Sequence, residues 1–172
     1  MDNTTKKELL NLYSEYKNIF DNSLIADLGS YYINGSISEI FPTFNIINFD
    51  ILEGKNVDIC IEPGKIPKEH EEKYDMVIST GSFMCCKEPE LFRKEITDLL
   101  KKKGFLLLTT CTEKCKKSKR HKSSPNKYYP RGTYNNWEKE KLENFFNLFF
   151  NEIKCYEIGN KHKLYVYIGT KK

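Results

Sequence analysis

The spacing of apolar residues changes along the chain and predicts alternating helices and strands. In residues 1–22, apolar side chains return every three or four positions, which predicts a leading helix. Its apolar positions are Leu9, Leu10, Leu12, Tyr13, Tyr16, Ile19 and Phe20. Short apolar runs follow, bounded by turn residues, and each of them predicts a strand. These runs lie in residues 24–26, 44–49, 57–62, 74–80 and 104–110.

Helical spacing returns between and after those runs. Helices are predicted for residues 33–41, 91–100 and 133–150, and the lysines and glycine of residues 101–104 predict the end of the second one. Residues 153–170 contain two β-rich runs joined by a Gly-Asn turn, which predicts an antiparallel hairpin. Strands that alternate with helices imply a parallel sheet with helices on both faces. We therefore predict an α/β three-layer sandwich with a seven-stranded, mostly parallel sheet that ends in an antiparallel hairpin.

The composition is typical of a compact domain. The chain has 172 residues, 39% hydrophobic and 13% aromatic, so we predict one domain over residues 1–172. No apolar run approaches the ~20 residues that span a bilayer, and the N-terminus is too polar for a signal peptide. We expect a soluble, cytoplasmic protein with no membrane partner and with its six cysteines reduced. The net charge of +4 is mostly lysine, and a solvated surface explains it.

Periodicity disappears in residues 111–131, which are rich in lysine, serine and proline. A loop of this length is uncommon inside a compact domain, and such loops often carry function. We expect it to be a lid that selects the substrate.

Residues 24–42 contain a glycine turn between a strand and a helix. The strand reaches Asp27, and Gly29 and Gly35 then bracket a short loop in which the backbone can approach a ligand closely. The spacing differs from the G-x-G-x-x-G of dinucleotide sites. A glycine turn also occurs in parallel α/β proteins of other kinds. With Ser30 and Asn34, however, the stretch resembles the first motif of class I S-adenosylmethionine-dependent methyltransferases, in particular a group reading D-x-G-S-x-x-x-N-G-S.

The order of strands and helices over the whole chain also resembles that family. The resemblance implies S-adenosyl-L-methionine as cofactor and S-adenosyl-L-homocysteine as product. It places Asp27 and Gly29 near the methionine portion, with Ser30, Asn34 and Gly35 completing the loop.

The resemblance continues through the next three strand ends. Asp50, followed by Ile51, begins a run similar to D-I-x-x-G-x-N-V-D, and the family acid at this place accepts hydrogen bonds from both ribose hydroxyls. The remaining implied positions are Glu62 and Pro63 near the adenine, Ser79 and Thr80 near the methyl group, and Phe83 as a cover of the cofactor. For Glu62, an ordinary surface glutamate is an equal alternative.

The candidate base comes from the long loop. Relatives often carry Glu-His after the fourth strand, where this chain has Met84, Cys85 and Cys86. His121 resembles a histidine that some relatives place after the fifth strand, and its imidazole can accept a hydroxyl proton at neutral pH. An exposed histidine in a lysine tract is the alternative. The residues expected to form a wall against the acceptor are Tyr129, Arg131, Tyr134 and Trp137, although the last two also suit the start of a helix.

These features predict methyl transfer to a small-molecule acceptor, with a sugar hydroxyl as the first candidate. One alternative is an RNA or DNA methyltransferase that uses the basic residues 114–122, although the Asn/Asp-Pro-Pro-aromatic motif of amino-methylating enzymes is missing. Another is an inactive cofactor-binding partner subunit. Cys111, Cys115 and His121 lack a convincing fourth ligand for zinc, so we expect no metal. The sequence leaves the oligomeric state open.

Overall fold

The computed structural model describes residues 3–31, 36–114, 135–160 and 163–172. The helices are α1 (Asn3–Glu15), α2 (Lys17–Asp21), α3 (Ile37–Ile40), α4 (Pro89–Leu99) and α5 (Lys139–Asn147), with short 3-10 turns at Lys68–His70 and Phe83–Cys85. The strands are β1 (Ile25–Leu28), β2 (Ile46–Asp50), β3 (Ile59–Cys60), β4 (Tyr74–Thr80), β5 (Leu100–Cys111), β6 (Phe150–Ile158) and β7 (Leu164–Lys171). No helix in these segments is both long enough and apolar enough to cross a membrane.

The strands form one sheet in the order β3-β2-β1-β4-β5-β7-β6. The first five strands of this order run parallel, whereas β7 lies antiparallel between β5 and β6. The chain places β2 and β3 on one side of β1 and all later strands on the other. The predicted fold class, a seven-stranded and mostly parallel sheet with an antiparallel C-terminal hairpin, is confirmed.

Helices cover both faces of the sheet. On β5, Phe105 and Leu107 face a core layer that includes residues of α1, α2 and α3, while Leu106 and Leu108 face a second layer with α4 and α5. These four side chains are at most 3% exposed. The alternation shows that β5 is buried on both faces, as expected for a central strand of a three-layer sandwich.

The leading segment differs from the single predicted helix. It forms α1 and α2, which are separated at Tyr16, where φ is −111° and ψ is 27°. Phe20 belongs to the second helix and is buried against Phe41 and Phe44, with ring centroids 5.7 and 6.3 Å away. The break therefore lets a second, short helix deliver an aromatic side chain to the core.

The lysine-rich segment of residues 101–104 also differs from its prediction. Residues 101–104 belong to β5 instead of ending a helix, since α4 ends at Leu99 and Leu100 already pairs with Tyr74. Lys171 donates to the Leu100 carbonyl at 2.7 Å, and Lys101 pairs with Asp75 at 2.7 Å. Long-range partners, which local spacing does not reveal, extend the strand.

The last predicted helix is shorter than its apolar pattern indicates. It covers Lys139–Asn147, and Phe150 begins β6 instead of ending the helix. Phe150 is buried in the core layer next to Phe146, with ring centroids 6.0 Å apart. Phe146 and Phe150 thus keep a helical spacing, although the first lies in α5 and the second begins β6.

Candidate active site

The carboxyl ends of β1, β2 and β4 meet where the strand order reverses. In the sheet register, Leu28 lies beside Phe49 of β2, and Asp27 lies beside Ile78 of β4. Parallel α/β sheets bind ligands at such a switch point. The structure therefore brings the predicted residues of these three strand ends to one edge of the sheet: Asp27, Gly29, Ser30, Asp50, Ile51, Ser79 and Thr80.

The glycine turn is fastened to β2 and to the loop after β4. The amides of Gly29 and Ser30 donate to the Phe49 carbonyl at 2.8 and 3.0 Å, and the Ser30 hydroxyl donates to the same oxygen at 3.2 Å. The Ser82 hydroxyl donates to the Gly29 carbonyl at 2.9 Å. Gly29 has φ +88°, and a Cβ there would lie 2.0 Å from Ser82 Oγ, so glycine is required on two grounds. Asn34 lies outside the described residues, as does Gly35.

Asp27 is a buried carboxylate at the end of β1, only 3% exposed. It lies next to the start of α3 at Ile37, where a capping box joins Ser36 and Glu39. Burial, followed by the nearby charge of Asp50, raises the Asp27 pKa to about 7, and the Ile37 N–H opposes this shift. The ionised carboxylate therefore favours a cationic partner.

Asp50, 8% exposed, ends β2 and is held by backbone amides. Its Oδ2 accepts from Tyr31 N–H at 2.9 Å and its Oδ1 from Leu52 N–H at 3.0 Å. Burial raises the Asp50 pKa, and the hydrogen bonds from backbone amides, Tyr31 first, oppose the rise. A carboxylate has about four acceptor positions, so these two bonds orient the group and leave capacity for ligand hydroxyls.

The rest of the run that begins at Asp50 stabilises this edge. Asp58 accepts from both the backbone and the side-chain nitrogen of Asn48 at 2.8 Å, which joins the start of β3 to β2. Gly54 packs under the ring of Tyr31, where a Cβ would lie 2.6 Å from Tyr31 Cε2. Gly54 and Asp58, which match the D-I-x-x-G-x-N-V-D pattern, thus support the backbone around Asp50.

Glu62 and Pro63 follow β3 in a tight turn. The Lys65 amide donates to the Glu62 carbonyl at 2.9 Å, and Gly64 has φ +76°. Proline followed by a glycine with positive φ is the signature of a type II turn. The Glu62 side chain is 71% exposed and pairs with Lys65, which agrees with the surface alternative. A contact of Glu62 with adenine stays a prediction.

The end of β4 carries a buried hydroxyl. Ser79 is fully buried, and its Oγ has no hydrogen-bond partner within the described segments. Thr80 follows at the edge of the sheet and is partly exposed. Ser79 is therefore enclosed at the end of the strand, whereas Thr80 is reached by solvent.

Phe83 and Trp137 pack together in the core. Phe83 is fully buried and stacks on Trp137, with ring centroids 5.3 Å apart, and it also contacts Phe92 and Phe146. This packing gives both aromatic side chains a role in the core that needs no ligand. The cover over the cofactor predicted for Phe83, and the acceptor wall predicted for Trp137, stay predictions.

The loop after β4 offers no strong base. Met84 lies against Cys111, with Sδ and Sγ 3.3 Å apart, and its carbonyl accepts from the Asn135 amide at 2.7 Å. Burial raises the pKa of the Cys85 thiol to about 11 and that of Cys86 to about 12. Both thiols are therefore neutral at physiological pH.

The long loop begins and ends beside this segment. The Trp137 amide donates to the Cys111 carbonyl at 3.1 Å, and Glu113 N–H donates to the Trp137 carbonyl at 2.9 Å. The candidate base and three wall residues lie in the part of the loop outside the described segments: His121, Tyr129, Arg131 and Tyr134. Across residues 3–31, 36–114, 135–160 and 163–172, no three potential ligands form a metal site.

Solved structures show where this architecture occurs. No protein-family model and no curated protein matches the chain. The 1,6-didemethyltoxoflavin-N1-methyltransferase of Burkholderia thailandensis, solved with 1,6-didemethyltoxoflavin and S-adenosylhomocysteine, matches with a TM-score of 0.65 at 10% identity, covering 98% of this chain and 88% of that chain. Magnesium protoporphyrin IX methyltransferase from Synechocystis PCC 6803, with bound S-adenosylhomocysteine, matches with a TM-score of 0.67 at 11% identity, covering 98% and 82%.

A third match comes from a protein with a different reaction. The [4+2]-cyclase SpnF has a TM-score of 0.68 at 12% identity, and the match covers 95% of this chain and 80% of that chain. The chain therefore has the fold of the class I S-adenosylmethionine-dependent methyltransferases, which confirms the predicted resemblance at the level of fold. One fold hosts many activities, so function has to be argued from the site.

Proposed function

We propose that this protein is an S-adenosylmethionine-dependent methyltransferase that acts on a small-molecule acceptor. The observation that carries the proposal is the meeting of two buried carboxylates, Asp27 and Asp50, with the glycine turn at the switch point of the sheet. Buried acidic groups without a basic partner are unfavourable in a protein interior, and such groups cluster at functional sites.

The residues present suit this cofactor. S-adenosylmethionine supplies an activated methyl group on a sulfonium, together with an ammonium group and a ribose diol. Asp50 keeps acceptor positions for two hydroxyls, and Asp27 offers negative charge next to the glycine turn. Gly29 leaves room for close approach to the backbone. In the proposal, these groups bind and orient, since correct positioning of an activated methyl group supplies much of the rate.

The neighbours favour a small molecule as the methyl acceptor. Of the two methyltransferases named above, one is named for 1,6-didemethyltoxoflavin and the other for magnesium protoporphyrin IX. We keep a sugar hydroxyl as the first acceptor to test, with His121 as its base and with Tyr129, Arg131, Tyr134 and Trp137 around it. We also propose an intracellular location, since Cys60, Cys85, Cys86 and Cys155 are free thiols.

The decisive test is calorimetric titration with S-adenosylhomocysteine. We expect the parent protein to bind and Asp50→Ala to bind about 100-fold more weakly, because two hydrogen bonds to a charged acceptor are lost. Asp21→Ala, at an exposed aspartate on α2, is the matched control and keeps the parent affinity. A parent protein that does not bind refutes the proposed function, whereas equal affinity for Asp50→Ala refutes only the placement of the ribose.

A second candidate is a catalytically inactive partner subunit that retains the cofactor site. The neutral thiols of Cys85 and Cys86, at the place where relatives carry Glu-His, favour it. The SpnF cyclase also has this fold. Turnover with candidate acceptors separates the two functions, because both predict binding of S-adenosylhomocysteine. His121→Ala keeps that binding and lowers the rate if His121 is the base.

A further inference from the structure

A buried glutamate on α4 reaches across to the turn that follows β3. Glu95 is 3% exposed, and its Oε1 accepts a hydrogen bond of 2.6 Å from the backbone N–H of Gly64. The two residues are 31 positions apart. Burying a carboxylate is unfavourable, so its presence here needs a reason beyond helix stability.

The turn itself leaves the Gly64 amide for an outside partner. In residues 62–65 the closing hydrogen bond runs from Lys65 N–H to the Glu62 carbonyl, so Gly64 N–H takes no part in it. Glycine at this position, with φ +76°, follows the type II pattern. Glu95 therefore binds an amide of the turn that takes no part in the closing bond.

The neighbouring contacts hold the turn on both flanks. Ile61 and Ile66 are buried in the core layer of α4, and a Cβ on Gly64 would lie 3.2 Å from Leu91 Cδ2. Leu91 and Glu95 are one helical turn apart, so the same stripe of α4 contacts the turn twice. Apolar contacts fix its ends, and the carboxylate fixes its centre.

This turn lies beside Asp50. The Ile61 amide donates to the backbone carbonyl of Asp50 at 2.8 Å, so the chain enters the turn next to the group proposed to hold the ribose. The glycine turn occupies the β1 side of Asp50. In the proposed function, a base attached to that ribose would therefore lie on the other side, over the end of β3.

We propose that Glu95 is a positioning residue that holds residues 62–65 in the conformation that recognises the adenine end of the cofactor. The inference rests on the proposed function. Glu95 touches no part of the cofactor in this scheme, because it acts through the Gly64 backbone. Its removal therefore affects adenine recognition more than any other part of binding.

Two ligands that differ only at the purine test the inference. The parent protein is titrated with S-adenosylhomocysteine and with S-inosylhomocysteine, in which a carbonyl replaces the adenine amino group, and we expect a preference for the first. Glu95→Met keeps the length of the side chain and removes the acceptor. We expect it to bind S-adenosylhomocysteine about tenfold more weakly and to lose most of the preference between the two ligands.

Two controls separate positioning from general destabilisation. Glu95→Gln keeps an acceptor oxygen and retains both the affinity and the preference, and Glu90→Gln makes the same change at an exposed site of α4. Loss of stability alone lowers both affinities equally and leaves their ratio unchanged. Urea unfolding of each variant reports the stability, and Gly64→Ala, which strains the same turn from the other side, replaces Glu95→Met if that variant does not fold.

The outcomes are distinct. An unchanged affinity and an unchanged ratio in Glu95→Met overturn the inference while leaving the proposed function in place. A parent protein that binds S-adenosylhomocysteine without preferring it over the inosyl compound also overturns the inference. Failure of the parent protein to bind either ligand refutes the proposed function itself, and the role of Glu95 falls with it.

Discussion

At the scale of single residues, three buried carboxylates lower the stability of the protein when no ligand is bound. Asp27 and Glu95 are buried, and burial raises the pKa of each to about 7, while Asp50 has a raised pKa for the same reason. In the described segments, none of the three forms an ion pair with a lysine or arginine. Such groups lower the stability of the free protein, and a cation bound beside Asp27 would offset part of that cost.

Replacing Asp27 with asparagine is expected to change the pH dependence of stability. Between pH 3.8 and about 7, the unfolded chain releases the Asp27 proton while the folded protein keeps it, so this group destabilises the fold progressively as pH rises. Asp27→Asn removes the titration. We expect its free energy of unfolding to exceed that of the parent by about 1–3 kcal/mol at pH 8 and by much less at pH 4.

Urea unfolding of the free proteins across this pH range measures the effect. Glu90→Gln, at an exposed carboxylate of α4, serves as the control, because it lacks the burial that raises the Asp27 pKa. A difference between Asp27→Asn and the parent that stays constant from pH 4 to pH 8 contradicts the assignment of the shift to Asp27.

At the scale of elements, the site depends on contacts between loops that follow different strands. The glycine turn after β1 touches the loop after β4 through Gly29 and Ser82, which are 53 positions apart. The turn after β3 touches α4 through Gly64 and Glu95. Each loop is thus held by a neighbour from a distant part of the chain, which gives a rigid frame to the switch point.

Alanine substitutions at two glycines with similar φ angles test how tightly the loops after β1 and β4 pack against each other. Gly29 has φ +88° and Gly81 has φ +81°, but a Cβ on Gly81 meets only Met84 Cε, at 3.7 Å, whereas one on Gly29 meets Ser82 Oγ at 2.0 Å. We expect Gly81→Ala to lower the free energy of unfolding by about 1–2 kcal/mol through backbone strain alone. Gly29→Ala adds about 1–3 kcal/mol for the steric conflict.

Urea unfolding of the two variants side by side gives the difference directly, since the backbone cost is common to both. Equal stabilities of Gly29→Ala and Gly81→Ala mean that the Ser82 loop moves away freely and that the frame around the switch point is loose.

The elements themselves follow largely from local pattern, whereas their contacts do not. Tyr74–Thr80 forms a strand as predicted, because its central residues are apolar and buried on both faces. The start of β5 at Leu100 was not predictable, since it depends on Lys171 and Asp75 from elsewhere in the chain. Asp27 and Asp50 were predictable as acids at strand ends, but Ser82 and Glu95 carry no sequence signal, because their partners are backbone groups of remote loops.

For the whole molecule, the order of strands and helices along the chain predicted the fold class, and the seven-stranded, mostly parallel sheet with its antiparallel end is confirmed. Successive side chains of a strand point to opposite faces of the sheet, and the position of the switch point follows from the order of the strands. The methyl acceptor does not follow from the fold. The residues predicted to select it, apart from Trp137, lie in the loop outside the described segments.

Ligand binding is expected to stabilise the whole molecule by an amount that the affinity sets. At a free S-adenosylhomocysteine concentration 100 times its dissociation constant, the free energy of unfolding of the parent rises by about 2.7 kcal/mol, because the ligand binds only the folded state. At that same concentration, an Asp50→Ala protein with 100-fold weaker binding gains only about 0.4 kcal/mol. Urea unfolding with and without ligand measures both gains, each relative to its own free protein. A gain in Asp50→Ala as large as that of the parent means that the ligand binds away from the end of β2, and the ribose site has to be sought elsewhere on the sheet edge.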